Sequence, residues 1–143
     1  MAVLASETAS ATSGREGKAT SADGKINLAL SPPGSHGAGT NPEQLFAAGY
    51  SACFGSAIAA AASIAKIPLK ISDVKVTATV NLNKDDSGYF LDVTLNGELV
   101  GVDQAQAEGL VAKAHTICPY SKATRGNIEV KLQANGKGLS KTS

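Results

Sequence analysis

Short strands, a long helix, a hairpin, a second helix and a last strand are legible in this 143-residue sequence, and in that order they predict an α+β fold in one domain spanning residues 1–143. Three observations carry the prediction. A well-marked helix start precedes a long uncharged stretch, two alternating apolar runs flank a tight turn, and a second capped amphipathic stretch follows them. No repeat divides the chain, and neither does a linker.

Within the first 30 residues, short alternating stretches are broken at Gly14, Gly17 and Asp23-Gly24, the last a hairpin signal. Ile26, Leu28 and Leu30 alternate, so a strand is expected to end near Ser31. PPGSHGAG, from Pro32 to Gly39, is a loop by composition, and His36 within it reads as solvated. Asn41 is a candidate N-cap, Pro42 fits the first helical position, and Gln44 stands where a capping box takes Glu or Gln. That helix should run to about Lys66, where Pro68 stops it.

Val74, Val76, Ala78, Val80 and Leu82 alternate with polar residues, as do Tyr89, Leu91, Val93 and Leu95. The DDSG turn between the runs predicts an antiparallel hairpin. Asp103 caps a second helix with Ala107, Leu110, Val111 and Ala114 on its inner face. Pro119 disfavours helical geometry at Cys118, which places that cysteine at or just past the helix end. Ile128, Val130 and Leu132 give a final strand, and NGKGLSKTS reads as a loose tail.

Charged residues make up 17% of the chain and the formal net charge is +1, so nothing electrostatic favours nucleic acid or an acidic membrane surface as partner. Aromatic residues are only 4%, with no Trp, which argues against a base-stacking platform. The stretch Leu45 to Ala65 carries no charge and is long enough to cross a bilayer. Ala, Gly and Ser dominate it, however, and such residues insert poorly; a core helix packed tightly inside protein is expected instead. The N-terminus shows no basic region followed by an apolar one, so a cytoplasmic location is expected, with both cysteines reduced, reactive or metal-bound.

The two cysteines, Cys53 and Cys118, leave three readings open. They form a redox pair, they join His115 in a metal site, or they are buried small hydrophobes. The metal reading lacks a fourth ligand. Small neighbours around Cys53 (Gly49, Ala52, Ser56, Ala57) leave room for a substrate or another chain to approach. A thiol in mid-helix gains little from the helix dipole, so a thiolate there needs a cation from elsewhere. Arg15 and Arg125, each beside glycine, are the candidates.

NPEQLFAAGYSACF (Asn41 to Phe54) and CPYSKATRGNI (Cys118 to Ile128) resemble the two signature stretches of organic hydroperoxide resistance proteins of the OsmC/Ohr superfamily. GREGKATSADG is similar to that family's N-terminal hairpin, and the likeness runs from about residue 4 to 134. The Pro32–Thr40 loop is somewhat short for the branch.

The resemblance implies an OsmC-like fold, with antiparallel sheets around two core helices in an intertwined homodimer whose sites lie at the subunit boundary. It implies a thiol-dependent peroxidase that reduces organic hydroperoxides to alcohols and protects against oxidative stress. Cys53 matches the attacking cysteine and Cys118 the resolving one. Arg15 matches the arginine that stabilises the thiolate, and Glu43 the glutamate that orients it. The implied reductant is a dithiol, the lipoyl group of a carrier protein, and no bound metal or flavin is implied. Phe46, Tyr50, Phe54 and Ile117 are candidates to house an alkyl chain. An osmotically inducible relative with another peroxide preference, or a binding protein with unreactive thiols, are the competing classes.

Helix geometry adds one expectation. Glu43 and Cys53 are ten residues apart, about 15 Å along a straight helix and about 80° around it. If the family's arrangement applies, Glu43 should therefore serve a Cys53 of the partner subunit.

Overall fold

The computed structural model describes residues 1–139, which form two compact units, Met1–Leu45 and a second beginning at Phe46. In the first, β1 (Ser10–Thr12), β2 (Lys18–Thr20) and β3 (Asn27–Ala29) form an antiparallel sheet in that order. Between β1 and β2, Ser13 and Gly14 both take positive φ and lead into a 3-10 turn over Gly14–Glu16 that presents Arg15. Gly17 closes the turn because nothing larger fits: a Cβ there would lie 1.7 Å from the Thr12 carbonyl oxygen. The Asp23-Gly24 signal is a real turn, tied by the Ser21 hydroxyl to Asp23 (2.6 Å) and by the Ser21 N–H to the Ile26 carbonyl (2.9 Å).

Helix α1 (Pro42–Ala65) starts where the sequence places it. Asn41 Oδ1 accepts from the Gln44 N–H at 2.8 Å, which is the N-cap bond. The capping box does not close, because the Gln44 side-chain oxygen accepts from the Thr40 hydroxyl instead. Lys66 ends the helix in the left-handed region (φ 58°), two residues before Pro68.

The second unit is built on β4 (Val74–Asp85) and β5 (Gly88–Leu99), an antiparallel hairpin of two 12-residue strands. β6 (Val130–Ala134) adds to β5 in parallel, and β7 (Lys137–Gly138) adds to β6 in antiparallel. Parallel pairing needs a crossover, which α2 (Gln104–Ile117) and α3 (Pro119–Thr124) supply. Asp103 caps α2 with a full capping box through Gln106, and Ala107, Leu110, Val111 and Ala114 are all buried. Val93, Leu95 and Leu99 of β5 meet that face, together with Tyr50, Phe54, Ile58, Ala61 and Ala62 of α1. Gly97 permits the approach: a Cβ there would stand 3.1 Å from both Ile58 Cδ1 and Val111 Cγ2. Each fully buried large side chain contributes roughly 1.5–3 kcal/mol.

Two sequence expectations change, and one element is unforeseen. α1 buries one face only, with Ala52, Ser56, Ala60 and Ile64 exposed in the single chain, so it is not covered all round. α3 was not legible, because six residues cannot show a helical period. Pro119, which ends helical geometry at Cys118, is also the first residue of α3, a position where its missing N–H costs nothing. The expected loose tail instead begins as a turn at Asn135-Gly136 (φ 50° and 81°) that returns the chain as β7. Residues 140–143 of that tail lie outside the described residues.

Candidate functional site

Cys53 sits on α1, three residues after the buried Tyr50, and is half-buried against the core. Cys118 is fully buried at the α2–α3 junction, capping both helices with extended backbone (φ −66°, ψ 126°). The junction turns the Cys118 thiol toward α1, and it donates to Cys53 Sγ at 3.4 Å. Both cysteines are free. A disulfide bond needs about 2.05 Å, so closure requires only a small shift. Burial pushes the Cys53 thiol up from its ordinary value, and the neighbouring Cys118 adds to that. The backbone N–H of Tyr120, in the first turn of α3, pulls the other way by hydrogen-bonding the sulfur.

In the first unit, Arg15 and Glu43 are 28 residues apart in sequence and form a two-pronged pair. Nη1 donates to Oε1 at 2.5 Å and Nη2 to Oε2 at 3.2 Å. Glu43 is 12% exposed and Arg15 45%, so the carboxylate is covered while the guanidinium still faces outward. The hydrogen bond to Glu43 pushes Arg15 further above its ordinary value. Arg125, the other candidate cation, donates to the His115 carbonyl at 3.0 Å and so fastens the end of α3 to α2.

Among the described residues no group of three or more His, Cys, Asp or Glu side chains converges to hold an ion. His115 Nδ1 meets Ser121 Oγ at 2.8 Å instead.

An open cavity of about 750 Å³ lies in the second unit, lined by Phe46, Tyr89, Phe90, Leu91, Tyr120 and Ile128 among others. Neither sulfur lines it, though Pro119 and Tyr120, which follow Cys118, both do. Of the apolar residues named from sequence, only Phe46 is there; Tyr50 and Phe54 are fully buried in the core, and Ile117 is elsewhere. The room left by Gly49 is filled by the Tyr120 ring, because a Cβ at Gly49 would meet its hydroxyl at 2.8 Å. Tyr120, Phe46 and Tyr50 form an aromatic cluster around that point, with Phe46 edge-on to both tyrosines and the two tyrosine rings tilted to each other. Sequence reasoning does not reach Tyr120, because a tyrosine after Cys-Pro has no periodic signal and its contact with Gly49 exists only in the folded chain.

An α+β chain with a paired-thiol junction of this kind has the fold of OsmC-like proteins, and the family model described as OsmC-like protein matches residues 34–133. Organic hydroperoxide resistance protein OhrA of Bacillus subtilis (strain 168) is 48% identical over 137 residues, covering 91% of this chain and 95% of that one. A relative from Xanthomonas axonopodis pv. citri, also an organic hydroperoxide resistance protein, is 46% identical over 134 residues, covering 91% and 94%. The crystal structure of an organic hydroperoxide resistance protein from Legionella pneumophila superposes with TM-score 0.86 at 47% identity, covering 93% of this chain and 98% of that one. The chain belongs to the OsmC-like family, in its organic hydroperoxide resistance branch.

Proposed function

We propose that this protein is a cysteine-based peroxidase that reduces organic hydroperoxides to alcohols, in the cytoplasm, as a homodimer. The observation that carries the reading is the 3.4 Å approach of Cys118 Sγ to Cys53 Sγ, supported by relatives named for organic hydroperoxide resistance. Thiolate attack by Cys53 on the terminal peroxide oxygen breaks the O–O bond, releases the alcohol and leaves a sulfenic acid. Cys118 then attacks that sulfur; a disulfide forms and water leaves. A dithiol reductant, the lipoyl group of a carrier protein, returns both thiols. No bound metal or flavin enters the scheme. The 750 Å³ apolar cavity beside Tyr120 suits the alkyl part of the substrate, at roughly 0.8 kcal/mol per buried methylene.

Burial alone leaves Cys53 a poor thiolate, so the mechanism needs a cation. In this reading Arg15, held by Glu43, supplies it. Glu43 and Cys53 share α1 ten residues apart, about 15 Å along the axis, which favours an Arg15–Glu43 pair serving the partner's site.

Single-turnover reaction with an alkyl hydroperoxide tests the roles. Cys53→Ser should consume none, while Cys118→Ser should react once and accumulate oxidised Cys53. The reverse pattern would exchange the two roles.

A further inference from the structure

A chain of hydrogen bonds in the second unit joins the two segments that bear the cysteines. Tyr50 Oη on α1 lies 2.8 Å from Ser121 Oγ and 3.1 Å from Thr124 Oγ1, both on α3. Ser121 Oγ lies 2.8 Å from His115 Nδ1 on α2, and Thr124 Oγ1 donates to the Ser121 carbonyl at 3.2 Å. Tyr50 and Ser121 are wholly buried and Thr124 is 6% exposed. The spacing around the thiols is regular. Tyr50 comes three residues before Cys53, His115 three before Cys118, and Ser121 three after it.

Counting hydrogens gives the chain a direction, since each hydroxyl has one to donate. Thr124 spends its own on the Ser121 carbonyl, so it accepts from Tyr50. Tyr50 therefore accepts from Ser121, and Ser121 accepts from His115. The head of the chain must be a His115 Nδ1–H. In neutral imidazole that leaves Nε2 as a bare lone pair, and Nε2 is the buried side-chain atom with no hydrogen-bond partner among the described residues. A charged imidazole would instead bury an unpaired N–H, which is costlier. Burial and Arg125 both disfavour the charged ring, and burial keeps the Tyr50 phenol protonated as the chain requires.

We infer that His115, Ser121 and Tyr50 are positioning residues for the resolving step: a one-way hydrogen-bond chain headed by His115 Nδ1–H locks the α2–α3 junction to α1 and so holds Cys118 within reach of Cys53. The inference rests on the peroxidase reading for its role in turnover, though the geometry it describes is a property of the thiol pair itself. Preorganised thiols lose less freedom on closing, so the chain raises both the rate of closure and the stability of the disulfide. In turnover, closure forms the Cys53–Cys118 bond, breaks the S–O bond of the Cys53 sulfenic acid, and releases water that carries the Cys118 proton. Slow closure leaves the sulfenic acid open to a second peroxide and hence to sulfinic acid.

The test compares wild type with His115→Asn, His115→Gln and Tyr50→Phe. An asparagine amide nitrogen stands at the bond distance of Nδ1 from Cα and can head the chain; the glutamine nitrogen stands at that of Nε2 and cannot. Two quantities are read: closure rate after one equivalent of alkyl hydroperoxide, and the thiol–disulfide equilibrium against dithiothreitol. His115→Gln and Tyr50→Phe should lower both by roughly fivefold, the worth of one buried hydrogen bond, and raise sulfinic acid at Cys53. His115→Asn should recover most of the loss. Wild-type values in all three variants overturn the inference, as does equal loss in both His115 variants, because a merely space-filling histidine would not distinguish the two amides. If wild type fails to react with the hydroperoxide, the peroxidase reading fails, while the dithiothreitol equilibrium still decides the inference.

Discussion

Cys118 Sγ donates to Cys53 Sγ across 3.4 Å, although 65 positions separate the two residues in sequence. The contact exists because Pro119 forces extended backbone at Cys118 and then begins α3, so the chain turns sharply with its thiol facing α1. Around this pair burial opposes ionisation of Cys53.

Arg15→Ala should raise the pH at which Cys53 becomes a thiolate and slow attack at neutral pH. Glu43→Gln should do the same more mildly, because the guanidinium loses its two-pronged anchor but keeps its charge. Thiol absorbance against pH measures the shift. An unchanged titration in Arg15→Ala would move attention to Arg125.

In the proposed homodimer, a mixed dimer of one Glu43→Ala chain and one Cys53→Ser chain tests which subunit supplies the carboxylate. With shared sites, the sole intact Cys53 faces the intact Glu43 of the other chain, and the mixed dimer keeps one fully active site. The Glu43 defect in the mixed dimer would place Glu43 with the Cys53 of its own chain.

Gly49→Ala should separate stability from selectivity. Alanine gains roughly 0.5–1 kcal/mol of helix stability over glycine, yet its Cβ would displace the Tyr120 hydroxyl now 2.8 Å away. Thermal stability should stay close to wild type while the ratio of kcat/KM for bulky over small alkyl hydroperoxides changes. A ratio equal to wild type would exclude the Tyr120-lined cavity as the substrate site.

Burial first, and Arg125 second, hold the His115 pKa below its ordinary 6.5. The unfolded chain therefore takes up the proton at higher pH than the folded one. This contribution to stability is complete above about pH 6.5, falls as pH drops below that, and levels off past the folded value. Urea unfolding across this range should show a steeper acid-side loss in wild type than in His115→Asn. Parallel curves would mean that His115 titrates alike in both states.

What the sequence determined by itself is what short-range physics governs. The Asn41 and Asp103 caps, the turn at Asp23-Gly24 and the two-residue alternation of β4 and β5 depend on a few neighbouring residues, so they were readable and correct. The motif likeness also singles out Arg15, Glu43, Cys53 and Cys118, and the structure brings Arg15 to Glu43 and Cys118 to Cys53. Only tertiary structure decided which side chains meet. The parallel addition of β6 to β5, the return of the supposed tail as β7, the Tyr120 ring over Gly49 and the Tyr50–Ser121–His115 chain each join residues with no local reason to be paired. Buried hydroxyls and a buried imidazole must find partners wherever packing brings them, and packing is settled by the whole core rather than by any window of sequence.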